Sequence, residues 1–159
     1  MVKMLNEIFG DILNVKNGII CHQTNYFGVM GAGVAAAIRS RLLTPTLYAK
    51  YKNYCLTNGR AALGTTQFLD LPDGRILANL FCQDDRTSGP EKTVTRYDCM
   101  RQCLYTVRNC AVMNSLPVYL PYKIGCGIAG GDWKKVKTII EDVFSRSEVY
   151  ALIVRRRGG

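Results

Sequence analysis

The stretch IGCGIAGGDW, residues 124–133, places four glycines in the seven positions 125–131. A strand-like run, PVYLPYK at 117–123, precedes it, and apolar residues at helical spacing follow from Trp133. Glycine is unfavourable in backbone entropy, so a cluster of this density indicates either a tight turn or a ligand that lies against the backbone. The stretch is therefore predicted to be the loop of a strand–loop–helix unit.

A second glycine loop, GVMGAG at 28–33, has the same arrangement. The β-prone run GIICHQT at 18–24 precedes it, and a helical pattern begins near Val34. Backbone N–H groups in such a loop, with a helix N-terminus behind them, form an anion site. Neither loop has a lysine that would clamp a phosphate, so the pair is predicted to grip a diphosphate through backbone dipoles.

Two common phosphate-binding motifs are excluded for the loop at 28–33. A dinucleotide fingerprint requires G-x-G-x-x-G and an acidic residue about 20 positions further on. This loop reads G-x-x-G-x-G instead, and residues 34–69 contain no Asp or Glu. A P-loop is excluded because no Gly-Lys-Ser/Thr follows. A plain turn remains the alternative interpretation of both loops.

Strand-like and helical patterns alternate along the chain, which predicts an α/β sandwich with a mainly parallel sheet and helices on both faces. The predicted strands are 6–9, 18–24, 64–71, 75–82, 117–123 and 149–154. The predicted helices begin near Val34, Thr44, Tyr97 and Trp133, with Thr44 as an N-cap before Pro45 and with Thr95 and Asp98 as a capping box. Ligands of such sheets lie beyond the carboxyl ends of the strands, where both glycine loops fall.

Composition predicts one domain over residues 1–159 and a cytoplasmic protein. The chain has no run of about 18 or more apolar residues, which excludes a membrane span, and polar residues interrupt any signal-peptide pattern at its start. The seven cysteines include no CxxC pair, and a single histidine leaves no zinc-site spacing. Most cysteines are therefore predicted to be small buried residues in a reducing compartment, and neither a metal nor a cofactor is expected.

The chain is basic, with 21 Lys and Arg against 12 Asp and Glu and a net charge of +9. This balance favours anionic partners such as nucleotides, nucleic acid or phosphorylated metabolites. The sharpest cluster, 155–157, is RRR. It is interpreted as a solvated tail, with contact to RNA or DNA as the alternative.

Four segments, in this order, resemble the macro domain, an ADP-ribose-binding fold: GDIL at 10–13, HQTN at 22–25, GVMGAG at 28–33 and IGCGIAG at 124–130. The resemblance spans nearly the whole chain. It is strongest to the branch that holds ADP-ribose 1''-phosphate phosphatases and terminal ADP-ribose protein glycohydrolases. It implies a three-layer α/β/α sandwich with a mixed, mainly parallel sheet. It also implies a monomer that binds ADP-ribose or ADP-ribose 1''-phosphate, with ADP-ribosylated protein or nucleic acid as a possible partner.

The resemblance also implies the ligand contacts. Asp11, followed by Ile12, would accept a hydrogen bond from the adenine amino group, and Asn25 would lie near the distal ribose. Apart from the resemblance, Tyr26 or Phe27 is a candidate to pack on that ribose, because both lie next to the first loop. The diphosphate would meet two sets of residues, mainly through their backbones: Met30, Gly31, Ala32, Gly33 and Val34 from one side, and Gly125, Cys126, Gly127, Ile128, Ala129 and Gly130 from the other.

Hydrolysis of ADP-ribose 1''-phosphate to ADP-ribose and phosphate is the reaction predicted for this site, with His22, Asn25 and Asp132 as the candidate catalytic residues. His22, the only histidine, would act as a general acid or base or orient a water; its alternative is a hydrogen-bonded histidine that fixes the first loop. Asp132 would be the general base or, alternatively, the N-cap of the following helix. A further alternative base is one of the two aspartates in the predicted surface loop 83–92, Asp84 and Asp85.

Two departures from the family's glycohydrolase branch disfavour a lysine-adduct mechanism. That branch has a lysine after the strand that matches 75–82, where this chain has Cys82 and Gln83, and an acid after its G-C-G-L motif, where this chain has Ala129. The alternatives are a non-catalytic reader of ADP-ribose and a de-ADP-ribosylating hydrolase without a lysine nucleophile. A third is an RNA-binding module, whose affinity would fall steeply with salt.

Overall fold

The computed structural model describes residues 4–85 and 93–158. Its strands are β1 Leu5–Phe9, β2 Ile19–Thr24, β3 Thr66–Asp70, β4 Ile76–Phe81, β5 Val118–Pro121 and β6 Ala151–Arg155. Its α-helices are α1 Gly33–Arg41, α2 Pro45–Asn58, α3 Tyr97–Asn114 and α4 Trp133–Phe144, and short 3₁₀ helices cover Ile12–Asn14 and Gly59–Ala62. Each predicted strand and helix is confirmed, with small shifts at the ends. The predicted loop 83–92 lies outside the described residues from 86 onward.

The six strands form one mixed sheet in the order β1-β6-β5-β2-β4-β3. Every neighbouring pair is parallel except β3 and β4, which form an antiparallel hairpin. Parallel strands are covered on both faces, which explains why β2 is almost fully buried. The prediction of an α/β sandwich with a mixed, mainly parallel sheet is confirmed.

The helices cover the two faces of the sheet in pairs. Alternate residues of β2 point to opposite faces, so Cys21 joins the core under α3 and α4, whereas Ile20 joins the core under α1 and α2. Burial of Val107 and Ile140 anchors the first pair of helices, and burial of Ile38 and of α2 side chains anchors the second. Burial of this apolar surface is the main force that holds the three layers together.

Local signals at the helix starts have different outcomes. Thr44 caps α2 as predicted, since its hydroxyl oxygen accepts a hydrogen bond from the Leu47 N–H at 3.2 Å. The capping box predicted for α3 is wrong: its N-cap is Arg96, without a side-chain cap bond. The Thr95 hydroxyl instead donates to the Gly125 carbonyl at 2.7 Å, so a long-range contact replaces the local one.

The seven cysteines are free thiols, and five of them are buried, which confirms their predicted role as small core residues. Within residues 4–85 and 93–158, no group of three or more potential ligand side chains is arranged to hold a metal ion. In the same residues, no helix has the length and apolar character that crossing a bilayer requires.

Candidate functional site

Two loops follow parallel strands at the same edge of the sheet. Loop 1, residues 25–32, connects β2 to α1, and loop 2, residues 122–132, connects β5 to α4. Because β2 and β5 are parallel neighbours, their carboxyl ends bring the two loops to one edge. Surface cavities of about 440, 350 and 550 Å³ are lined by residues outside the two loops.

Asn25 organises loop 1 through its side-chain amide. Its Oδ1 accepts from the Phe27 N–H at 3.0 Å, and its Nδ2 donates to the Val29 carbonyl at 2.9 Å. The Tyr51 hydroxyl on α2 lies 2.9 Å from the Asn25 carbonyl and 3.1 Å from its Oδ1. Burial raises the pKa of Tyr51, so its hydroxyl remains a donor. Asn25 is thus at the predicted site, with both ends of its amide holding the loop.

A segment before α3 holds loop 2 from one side. The Gly125 carbonyl accepts from the Thr95 hydroxyl and from the Gly131 N–H at 2.9 Å. The Ala129 carbonyl accepts from the Val94 N–H at 2.9 Å. Sequence reasoning missed these contacts, because nothing in the local pattern of residues 93–95 signals a partner some 30 positions away.

Both loops keep unused backbone donors. In the described part of the chain, no hydrogen bond uses the N–H groups of Gly127, Ile128 and Ala129 in loop 2. The same holds for Gly31 and Ala32 in loop 1. Consecutive free N–H groups, next to the positive end of a helix such as α1, are the arrangement that binds an anion through the backbone.

The fold explains some glycines of loop 2 and leaves one unexplained. A Cβ at Gly131 would lie 2.5 Å from the Gly125 carbonyl oxygen, and Gly125 itself has a φ of +74°. Those positions need glycine whether or not a ligand binds. Gly127 has no positive φ, and a Cβ there would meet nothing within 4 Å. The space in front of Gly127 is therefore free for a ligand.

Large apolar side chains are exposed on both loops. Phe27 and Val29 are 53% and 54% exposed, and Ile128 at the tip of loop 2 is 87% exposed. Val34, in the first turn of α1, is also exposed, whereas Met30 is buried and anchors loop 1 to the core around Tyr51. Exposed apolar groups beside unused polar donors are typical of a ligand-binding edge.

Asp11 lies after β1, at the start of the short helix that begins with Ile12. Its Oδ1 accepts from the Leu13 N–H at 2.9 Å, and its Oδ2 lies 3.5 Å from Arg41 and 3.4 Å from Arg156. The hydrogen bond from Leu13 and the two arginines hold the pKa of Asp11 below its usual value. The carboxylate is therefore a charged acceptor, partly engaged within the protein.

The cluster RRR at 155–157 packs against aromatic rings. Arg155 is the last residue of β6, with its guanidinium 4.2 Å from the centroid of the Tyr122 ring. Arg157 lies 4.7 Å from the Phe9 ring centroid. The interpretation as a solvated tail is therefore wrong at Arg155, because the strand and the ring contact fix it at the carboxyl edge of the sheet.

His22 is buried in the middle of β2. Its Nε2 lies 2.5 Å from Oδ1 of Asn79, the residue opposite it on β4, and the Asn79 Nδ2 donates to Gln67 on β3 at 3.1 Å. Burial lowers the pKa of His22 to about 4, against the smaller raising effect of the Asn79 hydrogen bond. The ring is neutral at pH 7 and is only 1% exposed. This position favours the structural alternative over general acid–base work.

The buried His22 predicts a loss of stability in acid. Its pKa is about 4 in the folded chain against an ordinary 6.5, so the unfolded chain takes up the proton first as the pH falls. The contribution of neutral His22 to the free energy of unfolding is fully present above about pH 6.5. It declines as the pH falls from 6.5 and is lost once the pH has fallen through 4. Urea unfolding should show wild type losing about 3 kcal/mol more than His22→Gln across this window. Equal losses in the two proteins would contradict the prediction.

Asp132 caps α4 and is exposed at the end of loop 2. Its Oδ1 accepts from the Lys134 N–H at 2.9 Å, and its own N–H donates to the Tyr97 hydroxyl at 3.0 Å. The capping alternative is confirmed. Its Oδ2 has no hydrogen-bond or ion-pair partner within residues 4–85 and 93–158. A carboxylate oxygen therefore stays available at the end of loop 2.

Of the two aspartates after β4, Asp84 is buried and bound. Its carboxylate accepts from the Tyr26 hydroxyl at 2.7 Å and lies 3.0 Å from Arg60 and 3.7 Å from Arg96. This cluster ties loop 1 to Arg96, the N-cap residue before α3, and sequence reasoning missed it because its members are far apart along the chain. Asp85 is exposed and accepts from Gln83 at 2.7 Å.

Comparisons with known proteins identify the fold. No family model matches the chain, and no curated protein matches it. A protein of unknown function from Bacteroides thetaiotaomicron is 26% identical to this chain with a TM-score of 0.84. The match covers 97% of this chain and 99% of that protein's chain. A macrodomain protein from Streptomyces coelicolor is 26% identical with a TM-score of 0.74, over 96% of this chain and 99% of its own.

A third solved structure, Thermosipho africanus DarTG in complex with ADP-ribose, is 15% identical with a TM-score of 0.73. The match covers 94% of this chain and 41% of that one. The chain described here therefore has the macrodomain fold, as its resemblance to the macro domain family implied.

Proposed function

We propose that the chain binds ADP-ribose or an ADP-ribose derivative at the edge formed by loops 1 and 2. The observation that carries the proposal is the run of unused N–H groups at Gly127, Ile128 and Ala129. These donors suit a diphosphate, the central group of ADP-ribose, and the N–H groups of Gly31 and Ala32 would meet it from loop 1. That an ADP-ribose complex has been solved for a protein of the same fold supports this choice of diphosphate.

The remaining predicted contacts fit the two ends of such a ligand. Asp11 keeps a charged carboxylate, a good acceptor for an exocyclic amine, with Ile12 beside it. Phe27, Val29, Val34 and Ile128 offer exposed apolar surface for the sugar faces. The backbones of Met30, Gly33, Gly125, Cys126 and Gly130 complete the two loops.

Calorimetry with ADP-ribose tests the proposal. We expect one site per chain and an affinity that changes by no more than about threefold between low and high salt, because backbone dipoles rather than lysines hold the diphosphate. Ribose 5-phosphate, which lacks the diphosphate, serves as the matched control and should bind much more weakly. Absence of heat with ADP-ribose would overturn the proposal.

Hydrolysis of ADP-ribose 1''-phosphate is the second candidate function, and the unpartnered Oδ2 of Asp132 favours it. The carboxylate would take a proton from a water whose oxygen attacks the terminal phosphorus. The bond between that phosphorus and the C1'' oxygen would break, and the C1'' oxygen would take up a proton from solvent water, which releases phosphate and ADP-ribose. The developing charge would be stabilised by the loop N–H groups. Binding without phosphate release would instead make the chain a reader of ADP-ribose.

A further inference from the structure

The surface of α1 and α2 carries charge of one sign. Residues 12–69 contain six Lys or Arg and no Asp or Glu. Two of these cations have acidic partners from elsewhere: Arg41 pairs with Asp11, and Arg60 pairs with Asp84. For Arg39, Lys50 and Lys52, no carboxylate of the described residues lies within ion-pair distance. Arg39, Lys50 and Lys52 therefore leave positive charge on this face that no described carboxylate neutralises.

A groove between the end of α1 and α2, the α2 groove, concentrates this charge around a fixed aromatic ring. It has a volume of about 550 Å³ and is lined in part by Arg39, Tyr48, Lys52 and Leu56. The Arg39 guanidinium carbon lies 4.2 Å from the Tyr48 ring centroid, and the Lys52 amine lies 5.8 Å from it. The Tyr48 hydroxyl donates to the Gly28 carbonyl at 3.0 Å, which fixes the ring.

We propose that the α2 groove binds single-stranded nucleic acid. Lys and Arg neutralise backbone phosphates, and a guanidinium laid over a tyrosine ring provides a platform on which an unstacked base can lie. Among residues 4–85 and 93–158, no carboxylate lines the groove, so this lining does not repel a phosphate. The groove contacts loop 1 through Gly28 and is otherwise separate from the candidate ADP-ribose site, so the inference stands independently of the proposed function.

The exposed side chains of α2 argue against an anionic membrane as the occupant. A helix that lies in a membrane surface needs a broad exposed apolar face. On α2, Leu56 is the one large apolar side chain that is strongly exposed, at 82%, whereas Leu47 and Tyr51 face the core. Cations around a single ring therefore fit a nucleotide strand better than a lipid surface.

Fluorescence anisotropy with a labelled oligonucleotide of about 12 nucleotides tests the inference. The double variant Arg39→Glu with Lys52→Glu should bind at least about tenfold more weakly than wild type, because two cations that neutralise phosphates become anions that repel them. The slope of log affinity against log salt should fall by about 0.7 for each phosphate that the variant no longer neutralises. Arg39→Gln with Lys52→Gln should weaken binding in the same direction, and thermal unfolding should show that each variant is folded.

The matched control is Lys137→Glu with Arg146→Glu, the same change of charge at exposed positions in and after α4. It should bind the oligonucleotide about as tightly as wild type, with an unchanged salt slope. An equal drop in affinity in this control would overturn the inference, because overall charge alone would then explain binding.

Two further probes separate a nucleic-acid site from a general polyanion surface. An abasic strand keeps the phosphates and removes the bases, so it should bind about tenfold more weakly. Equal binding of the abasic strand, or tighter binding to anionic phospholipid vesicles, would overturn the inference. Saturating ADP-ribose should leave oligonucleotide binding unchanged, because the two ligands bind at different places. Failure of the nucleic-acid inference is therefore distinguishable from failure of the proposed ADP-ribose site.

Discussion

Gly127→Leu should lower the affinity for ADP-ribose by at least about 100-fold, a loss of about 2.7 kcal/mol, and leave the thermal unfolding midpoint unchanged. The fold tolerates the change because Gly127 has no positive φ and a Cβ there meets nothing within 4 Å. The ligand does not tolerate it, because a leucine side chain fills the space in front of the free N–H groups of residues 127–129.

A series at the same position and a contrast at Gly131 make this test sharp. Gly127→Ala adds one methyl group and should have a smaller effect on ADP-ribose affinity than Gly127→Leu. Gly131→Ala places a Cβ 2.5 Å from the Gly125 carbonyl oxygen. This variant should therefore lower the thermal unfolding midpoint in addition to the affinity for ADP-ribose. Wild-type affinity in a folded Gly127→Leu protein would show that no ligand lies against loop 2.

The layers of the fold were predictable because they depend on local patterns. Alternation of β-prone runs with helical spacing indicated the elements, and a local signal at Thr44 placed the start of α2 correctly. The order of the strands in the sheet needs contacts between distant segments, and no pattern in one sequence encodes those. The capping box at Thr95 failed for this reason, since the hydroxyl was taken by Gly125, 30 residues away.

The candidate site shows the same division between local and distant information. The sequence located both glycine loops but interpreted the glycines of 125–131 as one ligand-binding set. The structure separates Gly125 and Gly131, which the chain's own backbone requires, from Gly127, which it does not. His22 is similar: its position at the end of a β-prone run suggested a catalytic residue, and only its pairing with Asn79 shows that it is buried between strands.

Asp132→Asn should lower the rate of phosphate release from ADP-ribose 1''-phosphate by about 10²- to 10⁴-fold, the usual effect of losing a general base. Asparagine caps a helix about as well as aspartate, so the hydrogen bond to the Lys134 N–H that begins α4 is kept. The change therefore removes the basic oxygen without removing the cap. The unfolding midpoint should be unchanged, and ADP-ribose affinity should stay within about threefold, since the loop N–H groups are intact.

Asp132→Ala is the control that separates the two roles of this carboxylate. This variant removes the cap as well, so it should lower the free energy of unfolding by about 1 kcal/mol. If both variants lose rate and only Asp132→Ala loses stability, the loss of rate is due to the missing carboxylate. A wild-type rate in Asp132→Asn would exclude Asp132 as the general base. The exposed Asp85 would then be the next aspartate to test as that base. If wild type itself binds ADP-ribose 1''-phosphate and releases no phosphate, Asp132 is a helix cap alone and the site reads its ligand without changing it.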